Sequence, residues 1–100
     1  MVLAFAPMTA WCATGNDLRA WGEGYEKNTG TFANGLYMGF VVGVAESFSG
    51  LGFCPPSNVT NGQNAAIVWK WLSDHPKDWA GPASGLILAA LSDAFPCQKK

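Results

Sequence analysis

The sequence predicts an all-α protein, a small bundle of about four helices stapled by one disulfide. A chain of 100 residues supports one hydrophobic core of ordinary size and not two. Apolar residues recur at helical spacing in the segments between clusters of Gly, Pro and Asn. No segment fits a strand pattern as well as it fits a helical one. These three observations favour a single helical bundle.

The N-terminal segment MVLAFAPMTAWCA differs from the rest of the chain. Its apolar run followed by small residues resembles the end of a signal peptide, although the basic segment that opens such peptides is missing. We expect residues 1–13 to be a signal-peptide remnant or, alternatively, an apolar arm, and residues 14–100 to form the single domain. A lipoprotein signal at Cys12 fits less well, because Thr9 stands where that signal prefers a leucine-like residue. No segment has the roughly 18–20 apolar residues that span a bilayer.

The first half of the domain predicts two helices. The first is predicted over Leu18 to Lys27, with Asn16 as its N-cap. The second is predicted from an apolar residue at every fourth position, a drift that an amphipathic helix of this length tolerates. These residues are Phe32, Leu36, Phe40, Val44 and Phe48.

Three glycines also recur every four residues in the second helix, at Gly35, Gly39 and Gly43. The spacing is that of a membrane dimer motif, but Glu46 and the short apolar run argue against insertion. We therefore expect the glycines to let another helix approach closely. Because each interior Gly costs about 0.5–1 kcal/mol relative to Ala, close packing should offset that loss.

The second half of the domain has clearer helix signals. Thr60 and Gln63 have the T-x-x-Q spacing of a capping box, which begins a third helix. That helix should end at His75, because a residue before proline is biased away from helical angles. Its core face is predicted to contain Ala65, Val68, Trp69 and Leu72. Pro82 suits the first turn of a fourth helix. The core-facing residues of that helix should be Ala83, Leu86, Ile87, Ala90, Leu91 and Ala94.

Three cysteines occur, at positions 12, 54 and 97. Cys54 precedes the third helix and Cys97 follows the fourth. An antiparallel pair of helices brings such positions to the same end, which is the geometry that a disulfide requires. A bridge that closes this loop of about 44 residues is worth about 4 kcal/mol in the chain-entropy model. The alternative is two free, buried thiols in a cytosolic protein.

Several function classes find little support in the sequence. The net charge of -1 and the scattered basic residues predict no nucleic-acid partner. One histidine, His75, and widely spaced cysteines give no metal-ligand pattern, so we expect no metal and no other cofactor. A Cys54 and His75 nucleophile pair would lack a third, orienting group. No carboxylate pair is indicated either, because the aspartates are separated by loop or by helix face. We therefore predict a protein that is not an enzyme.

The connection SDHPKDWAGP, residues 73–82, is the best candidate for partner binding. It mixes charges of both signs with an aromatic residue in a predicted loop, which is typical of interface anchors. Trp79 is either such an anchor, with Asp78 and Lys77 setting the orientation of binding, or is folded back onto the bundle. The predicted partner-binding residues are Asp74, His75, Lys77, Asp78 and Trp79.

Four motifs between residues 53 and 97 carry a family resemblance: FCPPSNVTNGQ, WLSDHP, GPA and ALSDAFPC. With their spacings they resemble the Rap/Tai family of bacterial immunity proteins against type VI secretion amidase effectors. The pattern of that family is C-x-P-x-x-V-T-x-G-Q, then L-x-x-H-P, P-A and A-L-x-x-A-F-P-C. The segments GNDL and GFVVGVAES resemble the first half of the family more loosely. The resemblance implies a helical, immunity-type domain.

The chain departs from the family pattern in two places. A second cysteine pair of the family would fall near Gly22 and Tyr37, and both cysteines are absent here. The family's E-x-R-H after H-P is replaced by Lys77, Asp78, Trp79 and Ala80. This second departure lies in the connection that we expect to contact a partner. The family resemblance therefore supports the fold more strongly than it supports the identity of the partner.

The resemblance implies a periplasmic protein, often a homodimer, that binds and blocks a peptidoglycan amidase. In this hypothesis a rigid bundle presents a loop that occludes the cleft of the enzyme. The alternative is a periplasmic stress or chaperone-like helical protein without an amidase partner. It predicts dimer dissociation and protection of unfolded proteins at strongly acidic pH, but the sequence is not enriched in titrating residues.

Overall fold

The computed structural model of the chain describes residues 13–27 and 31–97. These residues form four α-helices and one short 3₁₀ helix, with no strand among them. The helices are α1 (Gly15–Glu26), α2 (Phe32–Phe48), α3 (Asn61–Asp74) and α4 (Ala83–Ala94), and the 3₁₀ helix is Pro76–Asp78. α1 packs on α2, and both α2 and α3 pack on α4. The predicted all-α class is confirmed, while the expectations for Cys12 and the apolar N-terminal run lie outside the described residues.

The predicted boundaries of α3 are confirmed. Gln63 N donates to Thr60 Oγ1 at 3.0 Å, and Thr60 N donates to Gln63 Oε1 at 2.7 Å, which completes the capping box. The helix ends at Asp74, with His75 as its C-cap. The second helix also covers the range that its apolar spacing predicted.

The first helix begins earlier than predicted, because Thr14 and not Asn16 is its N-cap. Thr14 N donates to Asp17 Oδ2 at 3.0 Å, and Asp17 N donates to Thr14 Oγ1 at 3.4 Å. This reciprocal pair satisfies two backbone N–H groups at once, which a cap at Asn16 would leave unused. At α4, Pro82 is likewise the N-cap and does not lie in the first turn.

The core lies between the four helices and includes the segment that follows α2. Its largest fully buried side chains are Tyr37, Phe53, Leu18, Leu72, Ile87, Leu91, Val41 and Val68. The core faces predicted for α3 and α4 are largely confirmed. Trp69 and Leu86 are only half-buried, and Ala94 is exposed because it is the last residue of α4, where the core ends.

Tyr37 is the largest side chain in this core. Its hydroxyl donates to the carbonyl oxygen of Ala65 at 2.6 Å, so the phenol is buried with its polar atom satisfied. Burial and the neighbouring Tyr25 raise the pKa of Tyr37 well above its usual value, so the hydroxyl stays neutral and remains a donor. Tyr25 stacks on the ring with centroids 5.0 Å apart, and Trp69 meets it edge-on at 6.0 Å.

Gly22 leaves the space that two aromatic rings fill. A Cβ at Gly22 would lie 3.1 Å from Cδ1 of Tyr37 and closer still to the ring of Trp69. The two positions at which the family resemblance places a second cysteine pair are therefore neighbours in space. Here Gly22, which has no side chain, packs against the ring of Tyr37. This noncovalent contact takes the place of the covalent bond.

We expected another helix to pack closely against the glycines of α2, and for the described helices of this chain that expectation is wrong. A Cβ at Gly35, Gly39 or Gly43 would meet nothing within 4 Å, so none of the described residues packs against them. The helix turns its other side to the core through Tyr37 and Val41. The glycines thus belong to an open face of α2.

The disulfide between Cys54 and Cys97 is confirmed, with the two Cα atoms 4.8 Å apart. A backbone hydrogen bond from Cys54 N to Phe95 O at 2.8 Å joins the same two segments. The free-thiol alternative is therefore wrong. The bond also leaves no thiol at Cys54 for the nucleophile pair with His75.

We expect Gly22→Ala to lower the free energy of unfolding by about 1–3 kcal/mol, because the added methyl group would overlap the Trp69 ring. The matched control is Gly39→Ala, which lies in a helix interior but faces open space. There the gain in helix propensity should raise the free energy of unfolding by about 0.5–1 kcal/mol. Urea denaturation of dilute protein, followed by circular dichroism, measures both values. Equal effects of the two substitutions would contradict the packing described at Gly22.

Candidate partner-binding site

The connection between α3 and α4, residues 75–82, is fastened to the start of α1. Asn16 N donates to Trp79 O at 2.8 Å, and Gly15 N donates to Gly81 O at 2.9 Å. N–H groups in the first turn of a helix have no partner within the helix, so the connection supplies the acceptors that α1 lacks. Gly15 is required at this contact, because a Cβ would lie 2.7 Å from Trp79 O.

The connection is also hydrogen-bonded within itself. Asp78 N donates to His75 O at 3.0 Å, Trp79 N to Pro76 O at 3.2 Å, and Gly81 N to Asp78 O at 3.0 Å. Successive bonds of this kind fix the backbone in one tight turn. The 75–82 connection consequently has one defined backbone conformation.

Trp79 is folded back onto α3, which is the second of the two alternatives that the sequence left open. Its Nε1 donates to the carbonyl oxygen of Leu72 at 2.7 Å, and the indole is half-buried. The same oxygen accepts His75 N at 3.1 Å. Both donors therefore satisfy the carboxyl end of α3, where carbonyl groups lack helical partners.

The guanidinium group of Arg19 lies between the indole rings of Trp69 and Trp79. The carbon of its guanidinium group is 4.4 Å from the ring centroid of Trp79 and 4.8 Å from that of Trp69. Both distances are within the range of a cation–π interaction. Sequence reasoning missed Arg19, and the only available signal was the number of tryptophans, five in 100 residues. The arginine ties α1, α3 and the connection together.

A groove of about 270 Å³ lies beside the connection, between α3 and α4, and we call it the α3–α4 groove. It is lined by Ile67, Lys70, Trp71, Asp74, Ala90, Asp93 and Ala94. Trp71 Nε1 donates to Asp93 Oδ2 at 3.0 Å, and Lys70 Nζ lies 3.1 Å from Asp74 Oδ2. The groove thus has an apolar floor and a rim with charges of both signs.

His75 links the groove to the connection. Its ring stacks on the Trp71 ring with centroids 3.9 Å apart and planes 11° apart. His75 Nδ1 lies 2.7 Å from Trp71 O. Because a carbonyl oxygen only accepts, Nδ1 carries the proton and donates it to this bond. Stacking and hydrogen bond together fix the imidazole against α3.

The five residues predicted for partner binding lie at the end of α3 and in the connection, and they differ in exposure. Asp74 and Lys77 are exposed, whereas His75, Asp78 and Trp79 are half-buried. Trp71 and Asp93 line the α3–α4 groove, although the sequence did not point to them as contact residues. Asp93 lies 22 positions after Trp71, so no local pattern relates the two.

In the described ranges no group of three or more His, Cys, Asp or Glu side chains could hold a metal ion. None of the described helices combines the length and the apolar character that a bilayer crossing requires.

We expect Arg19→Met to lower the free energy of unfolding by about 1–2 kcal/mol, because it keeps an apolar stem but removes the cation between two rings. The control is Lys70→Met, which removes a lysine from an exposed i,i+4 pair and should cost less than about 1 kcal/mol. Chemical denaturation monitored by tryptophan fluorescence measures both. An Arg19→Met protein no less stable than the Lys70→Met protein would contradict the role given to the two indoles.

Comparison with known proteins agrees with the resemblance seen in the motifs. No curated protein matches the chain. The family model of the Rap1a immunity proteins matches residues 9–97, which include all four helices and both bonded cysteines. The chain therefore belongs to the Rap1a immunity protein family.

Proposed function

We propose that this protein is a periplasmic immunity protein that binds and inhibits a peptidoglycan amidase effector of a type VI secretion system. The observation that carries the proposal is the family match over residues 9–97. The motifs of residues 53–97, which resemble immunity proteins against amidase effectors, support the choice of enzyme class. The Cys54–Cys97 disulfide supports the compartment, because such bonds persist in oxidising surroundings such as the periplasm.

The contact surface that we propose consists of the 75–82 connection and the α3–α4 groove. The connection is held by backbone bonds to α1 and by its own turn. A surface that is already ordered loses little conformational entropy on binding, so more of the contact energy appears as affinity. The apolar floor of the groove supplies area to bury, while the exposed Asp74 and Lys77 set the orientation of the partner.

Inhibition in this proposal is steric. The connection enters or covers the cleft of the amidase and excludes its peptidoglycan substrate, without any chemical step on the inhibitor. Trp79 then has two roles. Its bond to Leu72 O and its contact with Arg19 hold the connection in shape, and the exposed part of the indole contacts the enzyme.

We expect Lys77→Glu to weaken amidase binding about tenfold, because it reverses an exposed charge at the proposed contact. The matched control is Lys27→Glu, which reverses another exposed lysine at the carboxyl end of α1, away from the connection. Isothermal titration calorimetry with a purified candidate amidase effector measures affinity. Hydrolysis of purified peptidoglycan measures inhibition. We expect Asp78→Lys and Trp79→Ala to weaken binding as well.

The outcomes of these binding experiments test the proposed contact surface and the proposed function separately. If the wild-type protein binds the amidase and none of the three connection variants loses affinity, the surface is wrong and the function stands. If the wild-type protein neither binds nor inhibits the amidase, the proposed function is wrong. Protection of unfolded proteins at strongly acidic pH would then favour the chaperone-like alternative.

We propose further that two copies pair through the open face of α2. The face comprises Phe32, Gly35, Leu36, Gly39 and Gly43, and Phe32 is 83% exposed. Glycines in a helix interior are unfavourable unless something packs closely on them. Since nothing in the described part of the chain does so, a second copy is the partner that restores this packing, as the family resemblance also implies.

We expect Gly39→Gln to shift a dimer to the monomer, because its side chain would hold two α2 helices apart. Ala66→Gln, at an exposed position of α3, is the control and should leave the dimer unchanged. Sedimentation velocity over a series of concentrations measures the association. A wild-type protein that stays monomeric at every concentration would refute pairing through α2.

A further inference from the structure

A second pocket lies at the other end of α3 from the connection. It has a volume of about 390 Å³ and lies between the last turns of α2, the segment after α2, and the first turn of α3. Pockets that bind small groups usually have volumes in this range. Since α3 has 14 residues, the pocket is about 20 Å from the connection. It is therefore separate from the surface proposed for the amidase.

One wall of the pocket is apolar and held in place. Phe53, Pro55 and Val59 contribute to it, and Phe53 is itself part of the core. Cys54, between the first two of these, is tied to the end of α4 by the disulfide and by its backbone N–H. The disulfide and this hydrogen bond therefore hold the wall at the end of α4.

The opposite wall contains a buried carboxamide without a partner. Asn64 is 7% exposed, and its Oδ1 is shut off from solvent and accepts no hydrogen bond from any residue that the structure describes. A buried polar atom in this state is destabilising, and native structures rarely leave one. Asn64 is also among the residues that line the pocket, so a rotation of its side chain that turns Oδ1 toward the pocket would let a bound donor satisfy it. The next core residues of α3 are Ala65 and Val68, so the apolar pattern does not explain an asparagine here.

The charge of the pocket indicates which ligand would satisfy this carboxamide. Glu46 is the only ionisable residue among the described residues that line it, and Ser49 adds a hydroxyl group. An anion is disfavoured, because Glu46 would repel it. In addition, the N–H groups of Gln63 and Asn64 already donate to Thr60. Two acceptors, one of them charged, beside an apolar wall favour a cationic donor on an apolar stem.

We propose that this pocket binds an alkylguanidinium or alkylammonium group. The head of the ligand donates hydrogen bonds to Glu46 and to the Asn64 carbonyl, and its stem packs on Phe53, Pro55 and Val59. The same chemistry comes from two sources, an arginine or lysine side chain of a partner protein and a free small amine.

The test is a titration of the isotope-labelled full chain with butylguanidinium, followed by proton–nitrogen correlation spectra. We expect saturable shifts at the amides of Glu46, Ser49 and Asn64. Glu46→Gln should weaken binding about tenfold because it removes the negative charge, and Asn64→Leu should do so because it removes the amide acceptor. Glu23→Gln, an exposed carboxylate on α1, should change nothing. Asn64→Asp should strengthen binding, which tests the site even if Asn64→Leu does not fold.

Three results would overturn the proposal: no saturation, equal shifts with neutral butanol, or wild-type affinity in both Glu46→Gln and Asn64→Leu. A blocked Gly-Arg-Gly peptide distinguishes the sources. Tighter binding of the peptide than of butylguanidinium supports a side chain of a partner, and tighter binding of butylguanidinium supports a free amine. Lys77→Glu should not affect the titration, so failure of the amidase proposal and failure of this one are distinguishable.

Discussion

The candidate partner surface depends on the hydrogen bonds between the first turn of α1 and the 75–82 connection. They satisfy the N–H groups of Gly15 and Asn16, which α1 cannot satisfy itself, and they fix the carbonyl groups of the connection in one place. With the backbone held there, Trp79 reaches the carboxyl end of α3 and also lies against Arg19. The first helix, the end of the third helix and the connection thus meet at the surface proposed for the partner.

The features predicted from sequence are those set by neighbouring residues. The Thr60 and Gln63 capping box and the helix end before Pro76 depend on residues only a few positions apart, and both were found. The cap of α1 was misplaced because Thr14 and Asn16 are both good cap residues, and only the return bond from Asp17 decides between them. The disulfide was predictable because two adjacent helices bring their flanking cysteines together.

The features that sequence reasoning missed depend on distant partners. The spacing of Gly35, Gly39 and Gly43 shows where a backbone is open, but not whether a helix of the same chain packs against it. Arg19 and its two indoles come from three separate elements, and Trp71 and Asp93 come from two. The orphaned amide of Asn64 depends on which atoms surround it. A position in α3 alone does not determine this.

The disulfide has a topological consequence for a protein proposed to meet a foreign enzyme outside the cytoplasm. The bond between Cys54 and Cys97 turns α3, the connection and α4 into a covalently closed ring. A single backbone cut within that ring, even in the exposed connection, opens the loop but releases no fragment. Proteolytic damage in the connection therefore leaves one covalent molecule, with both cut ends still anchored to helices of the same bundle.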